Sequence, residues 1–136
     1  MIKLLLQVLS DVTTFKNLKG EDKLANDVAC ELKALSIEGR INCLWFHVPN
    51  ETVVQTKTDI ARLKKKHAMG MISGAPDFVF LAPNTSVCIE LKTETGKSSP
   101  NQKLFAEWAE NSGVAYYIAR SINDVKKYLK LENLLQ

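Results

Sequence analysis

Residues 74–92 read GAPDFVFLAPNTSVCIELK, and the way this stretch folds decides the rest of the chain. β-Branched and aromatic residues dominate both of its halves, and Pro83-Asn84 separates them. That pattern predicts two strands, near 77–82 and 86–92, closed by a tight turn. A turn centred on Pro83-Asn84 pairs positions whose numbers sum to about 167, so that Asp77 stands opposite Glu90. Directly opposed side chains have Cβ atoms only about 4.5–5.5 Å apart. Alternation puts Glu90 and Lys92 on one face and Ile89 and Leu91 on the other. Two acids and an amine therefore converge at one end of an otherwise apolar hairpin.

Carboxylates held that close repel each other, and like charges placed opposite one another destabilise a sheet. Two arrangements answer the repulsion. Lys92 could neutralise one acid as a structural ion pair, or a hard divalent cation could bind between both.

Working outward, GEDKLANDVACELKALSIEG (20–39) predicts a helix, with Leu24, Val28, Leu32 and Leu35 at three- and four-residue spacing and Gly39 as its stop. INCLWFHV (41–48) is a strand that Pro49-Asn50 ends. Residues 52–67 form a polar, basic helix or helical loop, followed by GMISGAP, whose Gly70 and Gly74 would let the chain bend close to a ligand. SSPNQKLFAEWAENSG predicts a helix with Ser99 at the N-cap, Pro100 at the first position and Gln102 closing a capping box. Its apolar face is Leu104, Phe105, Trp108 and Ala109, and Gly113 stops it. VAYYIA (114–119) is a strand, and SINDVKKYLKLENLL a last helix capped by Ser121. Residues 2–9 are too few for periodicity to choose between helix and strand.

The class is α/β. The sheet is mixed and four-stranded: three antiparallel strands and a fourth parallel to the third after a right-handed helical crossover, flanked by helices. At 136 residues the chain is long enough for one domain with one core. Its 46% hydrophobic and 24% charged residues exclude a disordered or fibrous protein. The net charge of +3 is mild, but the excess is local: KTDIARLKKKH (57–67) sets five basic side chains before its histidine against Asp59 alone. Beside a phosphodiester site this segment is a candidate backbone clamp; otherwise it is a solvated helix face. Cys30, Cys43 and Cys88 occur singly in apolar surroundings and are expected as core residues in a reducing compartment. The apolar run near the N-terminus is too short to span a membrane, so a cytoplasmic location is expected.

PD followed by ELK resembles the PD-(D/E)xK nuclease superfamily, whose core is restriction-endonuclease-like. The flanks FHVPNE, ARLKKKHAMGMISGAPDFVFL, IELKTETGKSSPNQKLFAEWAENSG and YYIARSINDVKKYL look like the VRR-NUC domain in its compact, stand-alone phage form. The likeness runs from about residue 21 to residue 129 of a 136-residue single domain, with residues 1–18 as an N-terminal extension. It implies a Mg²⁺- or Mn²⁺-dependent endonuclease acting on DNA, structure-selective for branched forms such as Holliday junctions, and a homodimer with no membrane association. A phage-encoded protein of this kind would work in the host cytoplasm. Asp77, Glu90 and the Leu91 carbonyl would be metal ligands, and Lys92 would position the attacking water and hold the scissile phosphate.

The resemblance also places Gln102 towards the active site, in competition with its capping role. It adds an acid from the first helix, normally followed by a Gln four residues later. Glu21 fits the acid, but Ala25 stands where the Gln would be, with Asn26 next; Asp27 and Glu31 are the alternatives. Lys64, Lys65, Lys66, Lys103 and Asn50 would contact DNA, and His47 either touches substrate or simply packs. Two other readings stay open: a non-catalytic nucleic-acid-binding domain that retains the nuclease fold, and a structural domain with an edge ion pair.

Overall fold

The computed structural model describes residues 1–10, 15–49 and 53–136. Among these, four strands, β1 (Leu44–His47), β2 (Phe78–Ala82), β3 (Thr85–Leu91) and β4 (Ala115–Ala119), form one sheet in that order. The helices are α1 (Ile2–Val8), α2 (Gly20–Ile37), α3 (Lys57–Ala68), α4 (Pro100–Asn111) and α5 (Ile122–Leu131). β1, β2 and β3 run antiparallel in succession; β4 returns through α4 to lie parallel to β3. This is the mixed sheet expected from the sequence.

Register follows from the turn. Ala82 pairs with Thr85 across Pro83-Asn84, and Phe78 pairs with Ile89 at the open end. One step further, Asp77 is level with Glu90, as the turn position requires. A one-residue slip would turn every side chain of one strand to the other face. The five apolar residues Phe78, Phe80, Val87, Ile89 and Leu91 would then lose a face on which each is at most 1% exposed. The core thus enforces the register that brings the charged residues together.

That core lies on one face of the sheet. Val28, Leu32 and Leu35 of α2 and Val125 and Leu129 of α5 pack against the five strand residues and Ala119. The spacing of the α2 residues is what marks this helix in the sequence. Trp45 of β1 joins the α2 side by donating to Ser36 Oγ at 2.8 Å. After α5 the chain turns back so that Leu134 and Leu135 are also buried in this layer, Leu135 bridging Ile41.

The opposite face carries Asp77, Cys88, Glu90, Lys92 and, from β4, Tyr116 and Ile118. Helix α4 covers its β4 side, with the Phe105 ring 6.4 Å from that of Tyr116. The Ser99–Gln102 capping box forms, with Pro100 in the first turn. At the other end Gly113, at φ +74, lets the Val114 N–H return to the Ala109 carbonyl.

Several expectations change. Residues 2–8, left open between helix and strand by the sequence, are helical and all exposed or half-buried. The strand expected over 41–48 shortens to 44–47. The α4 face expected to be apolar and buried is largely open: Leu104 and Trp108 are exposed and only Ala109 is buried. Leu44, Phe46 and Leu81 on the β1–β2 half of the same sheet face are exposed too, because α4 does not reach that half. Cys88 is buried and Cys43 half-buried, but Cys30 is exposed on α2, so only part of the cysteine expectation holds.

Candidate active site

Asp77 is fixed from three directions. Its carbonyl accepts from the Val48 N–H at 2.8 Å and from His47 Nδ1 at 2.7 Å. Its carboxylate Oδ2 accepts from the Leu91 N–H at 2.7 Å. The first two contacts anchor the residue to the end of β1; the third ties its side chain to β3 just where the β2–β3 pairing stops. Because the Lys92 N–H bonds across to Ala119 of β4, the Leu91 N–H and carbonyl both face the other way, towards Asp77.

Glu90 is 3% exposed. Its Oε1 accepts from Gln102 Nε2 at 2.8 Å and lies 3.7 Å from Lys92 Nζ. Its Oε2 is buried with no hydrogen-bond partner among the described residues. Burial, and next the negative charge of Asp77, push the Glu90 carboxyl up to about 8 from 4.5, although Lys92 pulls the other way.

Lys92 is buried at 6% exposure, which is rare for a lysine and requires compensation. Its Nζ sits 3.7 Å from both Glu90 Oε1 and Glu21 Oε1. Its alkyl chain is covered by the loop that follows: a Cβ on Gly96 would stand 3.4 Å from Lys92 Cδ. That loop is pinned by Arg120, whose Nη1 donates to the carbonyls of Thr93, Glu94 and Gly96 at 2.6, 3.2 and 2.9 Å. Arg120 gave no signal in the sequence, since nothing local connects an arginine after β4 to a loop after β3.

The structure brings one first-helix acid to this cluster. Glu21 reaches Lys92, while Asp27 pairs with Lys23 and Glu31 with Lys126. Gln102 fills both of its expected roles at once: Oε1 accepts from the Ser99 N–H at 2.9 Å, and Nε2 holds Glu90. Helix capping thus presents the amide to the acid. Lys103 is exposed beside it, and Lys64, Lys65 and Lys66 are exposed on α3, which buries none of its residues. Asn50 lies outside the described residues. His47 serves Asp77 and packs its ring 5.1 Å from Phe78.

Gly74 has a partner within the chain. At φ +84 it lies against the first turn of α4, and a Cβ there would be 2.4 Å from the Asn101 carbonyl. The tight approach is to the helix that carries Gln102. Between them opens a cleft of about 200 Å³, lined by Gly74, Ala75, Asp77, Glu90, Ser99, Asn101 and Gln102. That is room for about six waters. Asp77 also borders a groove of about 410 Å³ reaching Glu21, Asp22, Asn26 and His47.

Among the described residues no three His, Cys, Asp or Glu side chains form a metal cage by themselves. Asp77 and Glu90 are a pair, and the pair fits a cation on two observations. Once Glu90 loses its proton, its Oε2 is a buried acceptor with nothing to accept from. The available donors are hard oxygens, which suit Mg²⁺ or Mn²⁺, ions that keep several waters.

The pH dependence follows. Without metal the folded protein holds a proton on Glu90 that the unfolded chain releases near 4.5. The associated stability is complete below that value and is lost as the pH rises through about 8. A bound cation would replace the proton. Thermal melts at about pH 5.5 and about pH 8.5, with Mn²⁺ or with chelator, should show a larger Mn²⁺ stabilisation at the higher pH. Equal shifts at both would contradict the assignment of the raised group to the cation site.

No protein-family model and no curated protein matches this sequence. Among solved structures, a VRR_NUC domain protein is similar: the TM-score is 0.53 at 17% identity, over 99% of this chain and 88% of that one. No helix among the described residues is long and apolar enough to cross a membrane. The chain, a mixed four-stranded sheet with five helices among its described residues, has the fold of that VRR_NUC domain protein.

Proposed function

We propose that the chain is a divalent-cation-dependent DNA endonuclease that hydrolyses phosphodiester bonds, using Asp77, Glu90 and Lys92. The observation that carries the proposal is the buried, unpartnered Glu90 Oε2 beside Asp77, with a buried ammonium on the same carboxylate. Once Glu90 is ionised, a purely structural ion pair would leave that oxygen without a donor, at a cost of about 1–3 kcal/mol.

Asp77, Glu90 and the Leu91 carbonyl would hold Mg²⁺ or Mn²⁺, with Glu21 joining the surrounding waters while it pairs with Lys92. When bound, the ion supplies a nucleophile at neutral pH and countercharge for the phosphoryl oxygens. The rest falls to the chain. Lys92, held by Glu21 and Glu90 and shielded by the 93–96 loop, presents a fixed cation to the phosphate and orients the attacking water. Gln102 keeps Glu90 from rotating away from Asp77. His47 fixes the Asp77 backbone, so the carboxylate cannot drift from β3.

Lys64, Lys65, Lys66 and Lys103 would bind the DNA backbone, with Asn50 near the mouth of the site. Each phosphate contact contributes about 0.9 to the slope of log affinity against log salt on duplex DNA. Replacing the three α3 lysines by alanine should therefore flatten that slope by about 2–3, as measured by binding under chelator. An unchanged slope would remove α3 from the interface.

Activity on branched DNA such as four-way junctions, and a two-fold dimer presenting two sites, complete the proposal. Labelled duplex and four-way DNA should both be incubated with the protein, with Mg²⁺, Mn²⁺ or chelator. Cleavage dependent on metal, and faster on the junction, is expected. Intact DNA under every metal condition would leave a non-catalytic binding domain as the better reading.

A further inference from the structure

Among the described residues, two buried side-chain oxygens have no hydrogen-bond partner: Glu90 Oε2 and the Tyr116 hydroxyl. They belong to one place. β4 pairs Tyr116 with Cys88 and Ile118 with Glu90, so Tyr116 lies on the Glu90 face, one pleat away on the neighbouring strand. Diagonal neighbours in a sheet are about 7–8 Å apart at the backbone, within reach of a tyrosine. Burial raises its phenol pKa most, and among charges Glu90 acts on it more strongly than Cys88 or Asp77.

Packing alone does not account for the hydroxyl. The Tyr116 ring lies against Phe105 at 6.4 Å, and a phenylalanine would make that contact without burying a polar atom. A buried phenol normally finds a partner. Glu90, with Oε1 engaged by Gln102 and Lys92, offers Oε2 as an acceptor.

We infer that Tyr116 is a positioning residue of this site: its hydroxyl donates to Glu90 Oε2, directly after a small side-chain rotation or through one water. The bond satisfies the hydroxyl and one lone pair of Oε2, orienting the carboxylate so that the other lone pair is left for the cation. The inference rests on the reading of Asp77 and Glu90 as a cation site.

The test is Tyr116→Phe, read by Mn²⁺ titration calorimetry and by melting in chelator. Loss of a hydrogen bond that supports a ligand typically weakens metal affinity about 10–100-fold. The variant should bind Mn²⁺ about tenfold more weakly and melt slightly lower than wild type in chelator, because Glu90 Oε2 loses its donor. Phe105→Leu, which loosens the same packing and keeps the hydroxyl, should melt lower and bind Mn²⁺ as wild type does.

If Tyr116→Phe binds Mn²⁺ with wild-type affinity, the inference is overturned while the cation site stands. If Phe105→Leu weakens Mn²⁺ as much as Tyr116→Phe does, packing is responsible and the inference is again overturned. If wild type itself binds no Mn²⁺, the cation site fails and takes this role with it.

Discussion

Asp77→Asn is expected to abolish DNA cleavage while making the metal-free protein more stable. The asparagine carbonyl still accepts from the Leu91 N–H, a bond of 2.7 Å in the wild type, so the strand end stays tied. What disappears is the charge facing Glu90, the second cause of that group's rise to about 8. Relieving it raises the melting temperature in chelator at alkaline pH by a few degrees, roughly the effect of 1 kcal/mol. The same change removes half of the carboxylate pair, and cleavage should fall on the order of a thousandfold or more. Stability and activity moving in opposite directions is the signature of a site that holds repulsion for a purpose. A variant that loses both together would point to a misfolded hairpin instead.

Gly74→Ala should produce the largest loss of stability of any single methyl addition in the GAPD segment. Its Cβ would lie 2.4 Å from backbone atoms of Asn101 and 2.7 Å from the Gln102 nitrogen, so α4 itself must shift. Overpacking of that kind costs about 1–3 kcal/mol, and a left-handed backbone about 1–2 kcal/mol more. Gly39→Ala is the internal control: φ is +75 there, but nothing lies within 4 Å of its Cβ position. Denaturant melts should show Gly74→Ala less stable than Gly39→Ala by about 2 kcal/mol, and cleavage should fall because Gln102 leaves Glu90. Equal stability of the two variants would show that the α4 contact carries no load.

The parts of this fold that could be read beforehand are those in which a short sequence interval sets the geometry. Pro83-Asn84 sets the hairpin register, and with it the meeting of Asp77 and Glu90. Ser99 and Gln102, three residues apart, set the start of α4. Leu24 to Leu35 set the buried stripe of α2. The residues that escaped are joined across long intervals. Nothing near Gly74 announces Asn101, and nothing near Arg120 announces the loop it pins. The resemblance favours Glu21 over Asp27 and Glu31, but only the rotation of α2 about its axis decides which acid meets Lys92. Leu104 and Trp108 have the right spacing for a buried face, yet both are exposed and of the α4 residues only Ala109 is buried. Gln102 shows why a choice between a structural and a functional role can be ill-posed: one amide has two ends, and each has its own partner.

Whether Asp77 and Glu90 hold a divalent cation can be read from anomalous scattering by crystals soaked in Mn²⁺. An anomalous peak is expected between the two carboxylates of the wild type, and none in crystals of Asp77→Asn. A wild-type crystal with no peak there, or with its peak at another cluster, would contradict the cation site.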